Sequence, residues 1–373
     1  MTTRIIRIAA CVGALATLAL QPQFVGGAST VGASSAPAQP AKARGAAPTA
    51  TSTFSTLPSM GGGSEALAVN EAGTVIVGSS WDRRDVLHAM RWTLQNGAWI
   101  GSSLPRPPSA HSAIARGVNN NGDAAGNDFP GPTAHAVLWP SGGGFTVLGC
   151  NGAVLPETVS AIATSAQMVV GTAGPWPRTP AVWRPGGACR ETLPVLAAGR
   201  SASASAVNAD GTVVGGSAEG VVAGSESVPV RWQKVSGGWL IEQLDSRRGN
   251  VMGANATGDL VGLVDVPCAS VDGCSRAVIW YATGGSRELG TLGGKDSSAR
   301  DINATGEVVG LSTSPTAGYT AYFWSTARGM LQLPFKGRFA VANALSNVRP
   351  DGTRVVVGMN SMAQATVWVV RNP

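Results

Sequence analysis

Three histidines are the first candidates for acid–base or metal chemistry in this chain of 373 residues. His88 and His135 each stand four residues before a tryptophan, whereas His111 stands alone in the segment SAHSA. None has a fixed sequence relation to a serine or cysteine nucleophile or to a carboxylate, and their spacing suits no metal ion. The sequence therefore predicts no catalytic residue, no metal site and no cofactor.

The 21 acidic residues are dispersed along the chain. Glycoside hydrolysis needs two carboxyl groups that converge across a cleft. Acids in connecting segments that can share one face are Asp82, Asp85, Asp128, Asp265 and Asp272. A hydrolase or lyase that acts on polysaccharide, with carboxylates at a central opening, is therefore kept as the alternative function, with no acid pair assigned.

Two tryptophans beside arginines favour binding over catalysis. They lie in SSWDRRDV (79–86) and TAGPWPRT (172–179), and a phenylalanine lies between them in NDFPGP (127–132). A ring next to a cation is a good contact for sugars, peptides or anionic polymers. We call this set the aromatic–basic strip; it consists of Trp81, Arg83, Arg84, Phe129, Trp176 and Arg178. The alternative is that each tryptophan folds over its own strand.

Four cysteines follow Cys11, and an even number in an exported chain suggests disulfides. Cys268 and Cys274 flank a short segment and can close one loop, and Cys150 and Cys189 then pair by elimination. Four free thiols are the alternative.

Composition excludes several classes of protein. Charged residues make up 13% of the chain and hydrophobic residues 44%, which indicates a globular protein. The net charge of +6 comes from scattered arginines. Nucleic-acid grooves need clustered cations with interleaved aromatic residues, so no nucleic acid is predicted as a partner.

The positions that carry these candidates are set by an internal repeat. Tryptophans recur at intervals of 44 to 49 residues, which defines seven copies. They are Trp92, Trp139, Trp183, Trp232, Trp280, Trp324 and Trp368. Each is preceded by a glycine after a short apolar run. These glycines are Gly78, Gly126, Gly171, Gly215, Gly262, Gly310 and Gly358.

Most copies also contain a turn of the form Asn-x-x-Gly, such as NATG at 303–306. Asparagine at the first position can accept backbone hydrogen bonds, and glycine at the fourth can adopt a positive φ. Copy three has ATSA (163–166) and copy seven has RPDG (349–352). A ligand-binding motif would not tolerate such exchanges, so we interpret the motif as a bend.

Each copy is predicted to form four short strands. In copy six these are 298–302, 307–312, 320–324 and 330–333. Radially repeated four-stranded units make a β-propeller, so the fold class is all-β with seven antiparallel blades and no helix. Copy seven lacks a fourth strand, and TFSTLP (53–58) aligns with fourth strands. The N-terminal segment is therefore predicted to complete the last blade.

The domain plan follows from these boundaries. Residues 1–28 have a basic start, an apolar run and small residues at the end, which is typical of a signal peptide. The apolar run is too short for a comfortable membrane span. Residues 29–52 form a Ser/Ala/Pro-rich linker without a core pattern, and residues 53–373 form the propeller. We expect a secreted, monomeric protein, extracellular or periplasmic, with no membrane span in its mature chain.

The segment ELGTLGGKDSSARDINATGEVVGLS (288–312), followed by TAYFW (320–324), resembles the bacterial HAF-repeat family of extracellular proteins. The His-Ala step of that family appears at His88 and His135. The resemblance covers about 53–373, and kelch propellers are a weaker likeness. It implies export and a propeller, and it names no reaction. The favoured function is a non-enzymatic module that binds an extracellular protein, peptide or glycan.

Overall fold

A computed structural model describes residues 51–131, 133–149, 157–186, 190–221, 226–268, 270, 273–316 and 318–371. Within these ranges the chain forms twenty-eight strands in seven four-stranded antiparallel sheets. The same ranges contain no helix, and therefore none that is long and apolar enough to span a membrane. The seven-bladed all-β propeller predicted from the tryptophan interval is confirmed.

Strands are numbered in chain order, from the inner to the outer strand of each blade, except that β1 is the outer strand of blade 7. Blade 1 contains β2 (Gly61–Val69), β3 (Val75–Asp82), β4 (Leu87–Gln95) and β5 (Ala98–Ser103). Blade 2 contains β6 (Ser112–Val118), β7 (Ala124–Phe129), β8 (His135–Trp139) and β9 (Thr146–Leu148). Blade 3 contains β10 (Glu157–Ile162), β11 (Val169–Ala173), β12 (Thr179–Trp183) and β13 (Glu191–Thr192). Blade 4 contains β14 (Ala202–Val207), β15 (Val213–Glu219), β16 (Ser227–Val235) and β17 (Gly238–Gln243). Blade 5 contains β18 (Gly249–Ala254), β19 (Leu260–Val266), β20 (Cys274–Trp280) and β21 (Ser286–Glu288). Blade 6 contains β22 (Ser297–Ile302), β23 (Val308–Thr313), β24 (Tyr319–Ser325) and β25 (Gly329–Gln332). Blade 7 contains β26 (Ala340–Leu345), β27 (Thr353–Asn360), β28 (Ala365–Arg371) and β1 (Thr51–Thr56).

Every inner strand carries a β-bulge, which leaves one residue without a partner on the second strand. The bulge turns the carbonyl of the residue two positions earlier toward the second strand. A Cβ atom opposite that carbonyl would overlap it, so glycine stands there in all seven blades. These glycines are Gly78, Gly126, Gly171, Gly216, Gly262, Gly310 and Gly358. In blade 4 the position belongs to Gly216, one residue after the glycine chosen from the sequence.

The Asn-x-x-Gly turns close the hairpin between the first two strands, as the sequence predicts. In the sixth blade Gly306 has a φ of 76° and its N–H donates to the Asn303 carbonyl at 3.0 Å. The Asn303 side chain accepts from the backbone N–H of Thr305 and of Glu307. Gly352 makes the same bend in blade 7, where arginine replaces asparagine. The motif is therefore a turn device.

The seven repeat tryptophans lie in the third strands, and all are 0–2% exposed. Four of them donate their indole N–H to the proline carbonyl that follows the outer strand of the preceding blade. These pairs are Trp92–Pro58, Trp139–Pro105, Trp232–Pro194 and Trp368–Pro334, at 2.7–2.8 Å. Each such tryptophan fills the space between sheets and also fixes the link between two blades.

The N-terminal strand closes the ring. β1 pairs antiparallel with β28, and Phe54 stands opposite Trp368. The predicted closure is confirmed. The strand begins at Thr51, so residues 51 and 52 of the predicted linker belong to the sheet. The predicted signal peptide and the rest of the linker lie outside the described residues.

The predicted bridge between Cys268 and Cys274 is present, with Cα atoms 6.0 Å apart. It closes the connection between β19 and β20. Cys150 and Cys189 lie outside the described residues, and their pairing stays a prediction.

Deletion of residues 29–56 is expected to lower the melting temperature by roughly 10 °C or more, because blade 7 loses its outer strand and the ring its closure. Deletion of 29–48 leaves β1 in place and serves as the control. Differential scanning calorimetry of both variants tests this, and equal melting temperatures would show that β1 does not close the ring.

Gly126→Ala should destabilise the fold by about 2 kcal/mol or more, because the added methyl group overlaps the Ile114 carbonyl. Gly142→Ala in the same blade is the matched control, since an added Cβ there meets no atom within 4 Å. Urea unfolding measures both free energies, and a similar small loss for the two variants would contradict the role given to the bulge.

Candidate functional site

The antiparallel blades give the propeller two different faces. Connections between strands two and three, and the links between blades, lie at one end, which we call the loop face. The tight hairpins between strands one and two, and between strands three and four, lie at the other end, the turn face. Residues of the aromatic–basic strip all belong to the loop face, in blades 1, 2 and 3.

Trp81 is not a free loop residue. It lies within β3 opposite Leu87 and is half-buried. Its backbone and Cβ lie against Gly62 of β2, where a Cβ atom would be 2.8 Å from the Trp81 carbonyl oxygen. Arg83 also folds back, over Gly61. One ring atom of Trp81 lies 3.8 Å from the position that a Cβ of Gly63 would take, so the ring lies near its own blade.

Trp176 and Arg178 are presented to solvent. Trp176 is 70% exposed, the largest exposed fraction among the large apolar side chains of the described residues. Arg178 is also exposed, while its backbone N–H donates to Ser201 Oγ at 2.9 Å and holds the connection in place. Phe129 ends β7 and is half-buried. Of the three predicted rings, Trp176 is therefore the one best placed to contact a partner.

Other exposed side chains extend this surface over the loop face. Five of the large apolar side chains that are exposed in the described residues lie there: Met60, Trp176, Val221, Tyr319 and Met362. Exposed cations of the same face are Arg83, Arg84, Arg106, Arg178, Lys295, Lys336 and Arg338. Exposed acids there are Asp85 and Glu226, so the described part of this face is apolar and basic. The sequence indicated some of these arginines as binding residues, but no sequence motif marks the exposed apolar residues of this face.

Two histidine–aspartate pairs also lie at the loop face, formed by residues for which the sequence showed no fixed relation. His88 Nε2 lies 3.1 Å from Asp82 Oδ2, and His135 Nδ1 lies 3.2 Å from Asp128 Oδ1. The N–H of Val86 and the His88 side chain lower the pKa of Asp82 to about 2. Burial raises the pKa of Asp128, although His135 opposes the rise.

Each pair joins the end of strand two to the start of strand three in its blade. In the sequence, the aspartate stands six or seven residues before the histidine. The two side chains come together only when the hairpin forms. The His88–Asp82 contact is a hydrogen bond that braces its hairpin, whereas His135 lies close to Asp128 without a hydrogen bond to it.

The turn-side opening of the central channel contains carboxyl groups. Its lining includes Glu71 and Asp301 together with residues from blades 3, 4, 5 and 7. Glu71 accepts from Asn120 Nδ2 at 2.9 Å and from Thr164 Oγ1 at 2.6 Å, so it connects blades 1, 2 and 3.

Asp301 follows the bulge of blade 6 at a position where every other blade has alanine or glycine. Burial raises the pKa of its carboxyl to about 7, and the nearby Glu71 adds to the rise. The N–H of Leu345 in blade 7, at 2.9 Å, opposes it. The carboxyl group of Asp301, with its pKa of about 7, therefore lies at the turn-side opening of the channel.

No protein-family model matches the chain, and no curated protein sequence matches it. The HAF-repeat resemblance therefore stays a prediction. Among solved structures, the chain is similar to YCF48 bound to D1 peptide, with a TM-score of 0.51 and 11% identity over 86% of this chain and 96% of that one.

Two further propellers are more distant. The β-propeller domain of the Trilobed protease from Pyrococcus furiosus has a TM-score of 0.49 and 9% identity, over 83% of this chain and 94% of that one. TolB from Acinetobacter baumannii has a TM-score of 0.42 and 10% identity, over 80% and 82%. At 11% identity, the similarity to the YCF48 structure bears on the fold alone.

Asp301→Ala should stabilise the protein more at pH 8 than at pH 5. An unfolded aspartate has a pKa of about 4, whereas that of folded Asp301 is about 7. The folded state therefore keeps a proton that the unfolded state loses, and stability falls as the pH rises through this window.

Urea unfolding at the two pH values measures the difference. Asp210→Ala is the control, because the Thr212 hydroxyl lowers the pKa of this exposed carboxyl and both pH values lie above it. If Asp301→Ala changes the unfolding free energy equally at both pH values, the carboxyl does not titrate between them.

Proposed function

We propose that the protein is a non-enzymatic binding module whose loop face holds an extended acidic or sugar-rich partner. The observation that carries the proposal is Trp176, 70% exposed next to the exposed Arg178. A large apolar ring in water is unfavourable, and a partner that covers the ring gains the free energy of its burial. The neighbouring guanidinium adds a donor for carboxylate, sulfate or phosphate oxygens.

The rest of the loop face supports an extended partner. Exposed apolar side chains occur in the connections of several blades, and exposed cations outnumber exposed acids among the described residues there. Interfaces combine a few aromatic anchors with a polar surround. In this proposal Trp176 is the anchor, Arg83, Arg84 and Arg178 supply charge, and Trp81 supports the blade beneath them.

Two observations support action outside the cytoplasm. The first 28 residues have the pattern of a signal peptide. The bridge between Cys268 and Cys274 suits an oxidising compartment. Export is therefore part of the proposal.

The polysaccharide hydrolase is the weaker candidate. Glu71 and Asp301 do line one opening, so the opening is not restricted to small neutral residues. Both Glu71 oxygens, however, already accept hydrogen bonds from neighbouring blades, and Asp301 accepts from the backbone N–H of Ile302 and Leu345. A glycosidase needs two carboxyl groups that point at the substrate. These two carboxyl groups accept hydrogen bonds from other residues of the propeller instead.

Trp176→Ala is expected to weaken binding of the acidic polysaccharide alginate or of poly-glutamate by about tenfold or more, without a change in melting temperature. Arg178→Ala should weaken binding less than Trp176→Ala does. Its effect should be larger at low salt than at high salt, because salt screens the charge of Arg178. Biolayer interferometry with neutral dextran as a third probe measures both, and a glycan array extends the search.

Phe145→Ala is the matched control, because this exposed ring lies in the connection between β8 and β9 on the turn face. Trp81→Ala should lower the melting temperature. Unchanged binding in Trp176→Ala, or the absence of binding to any acidic probe, would refute the proposed site.

A further inference from the structure

The seven bulges place one side chain per blade near the axis. Neighbouring inner strands contact one another around the ring, so these residues surround a common central space. They are Leu67, Arg116, Ser160, Ser205, Met252, Arg300 and Asn343. Two of the seven are arginines, which is unexpected where side chains converge.

Arg116 and Arg300 have no acceptor among the described residues. The Nε atom of each is buried without a hydrogen-bond partner. Arg91 and Arg231 also have an unpartnered Nε, but each donates through Nη2 to a backbone carbonyl of the next blade. No such bond, and no ion pair, joins either channel arginine to a described residue.

The acid whose charge acts on both arginines is Glu65 of blade 1. Burial raises the pKa of its carboxyl group, and Asn343, Arg300 in blade 6 and Arg116 in blade 2 oppose the rise. Blade 7 stands between blades 6 and 1, so the influence of Arg300 on Glu65 crosses the central space. Asn343 of blade 7 donates to Glu65 Oε1 at 3.0 Å and occupies that oxygen.

Two guanidinium groups stand near the buried carboxyl group of Glu65, and neither forms an ion pair or a hydrogen bond with it. An arginine without a partner is costly inside a protein, and its planar fork matches the oxygens of carboxylate, phosphate or sulfate. Water can solvate the groups, but an oxyanion would satisfy both charge and hydrogen bonding.

We propose that the central channel is a binding site for a small oxyanion, held by Arg116 and Arg300 and limited in affinity by Glu65. Asp301, which directly follows Arg300 in the chain, lines the turn-side opening of the channel. The site is separate from the loop face, so its failure would leave the proposed function untouched.

Thermal unfolding and isothermal titration calorimetry of the purified chain with inorganic phosphate, at constant pH and ionic strength, test the proposal. Phosphate should raise the melting temperature with saturation. Arg116→Gln and Arg300→Gln should each raise the phosphate Kd by about tenfold or more. Arg371→Gln, exposed at the end of β28, should bind as the parent does.

Glu65→Gln keeps an oxygen for Asn343 and removes the competing charge, so it should bind phosphate at least as tightly as the parent. Parallel titrations with sulfate and acetate tell which oxyanion the site prefers. If the arginines were purely structural, their variants would melt at a lower temperature without phosphate. Phosphate would still raise the melting temperature of the variants by as much as that of the parent. An unchanged phosphate-induced shift in the arginine variants would overturn the proposal. Weaker phosphate binding by Glu65→Gln, or no response of the parent protein to any of the three anions, would also overturn it.

Discussion

Close approach between the inner two strands of each blade is the constraint on which the rest of the structure depends. The bulge brings a carbonyl of the first strand so near the second that only glycine fits opposite. Because this happens in all seven blades, the inner strands can gather around one axis. The tryptophans then fill the wider space further out, where the sheets diverge.

The same device separates stability from function. Since the backbone and the glycine set the bulge, the residue at its tip is free to vary, and it ranges from Leu67 through Ser160 to Arg300. The axis can therefore collect charged groups without a change of fold. On the loop face, connections of variable length carry Trp176 and its neighbours, and the blades beneath hold their ends in place.

The fold was predictable because its signals are local and repeated. Tryptophan and glycine recur at nearly constant intervals, and TFSTLP aligns with the fourth strands, so blade number and ring closure followed directly. Trp176 was singled out because the repeat does not account for it. The same criterion selected Trp81, but its half-buried position in β3 against Gly62 follows from strand pairing, which composition does not show.

What the sequence determined by itself was the architecture: seven antiparallel blades, the turns that close their hairpins, the bridge between Cys268 and Cys274, and the strand that seals the ring. Tertiary structure alone decided the partnerships between distant segments. His135 approaches Asp128 only across a folded hairpin, and Arg300 comes under the influence of Glu65, 235 positions away in the chain, only when the ring is closed. Local periodicity encodes strands and turns, whereas the approach of side chains that are distant in sequence depends on how the blades assemble around one centre.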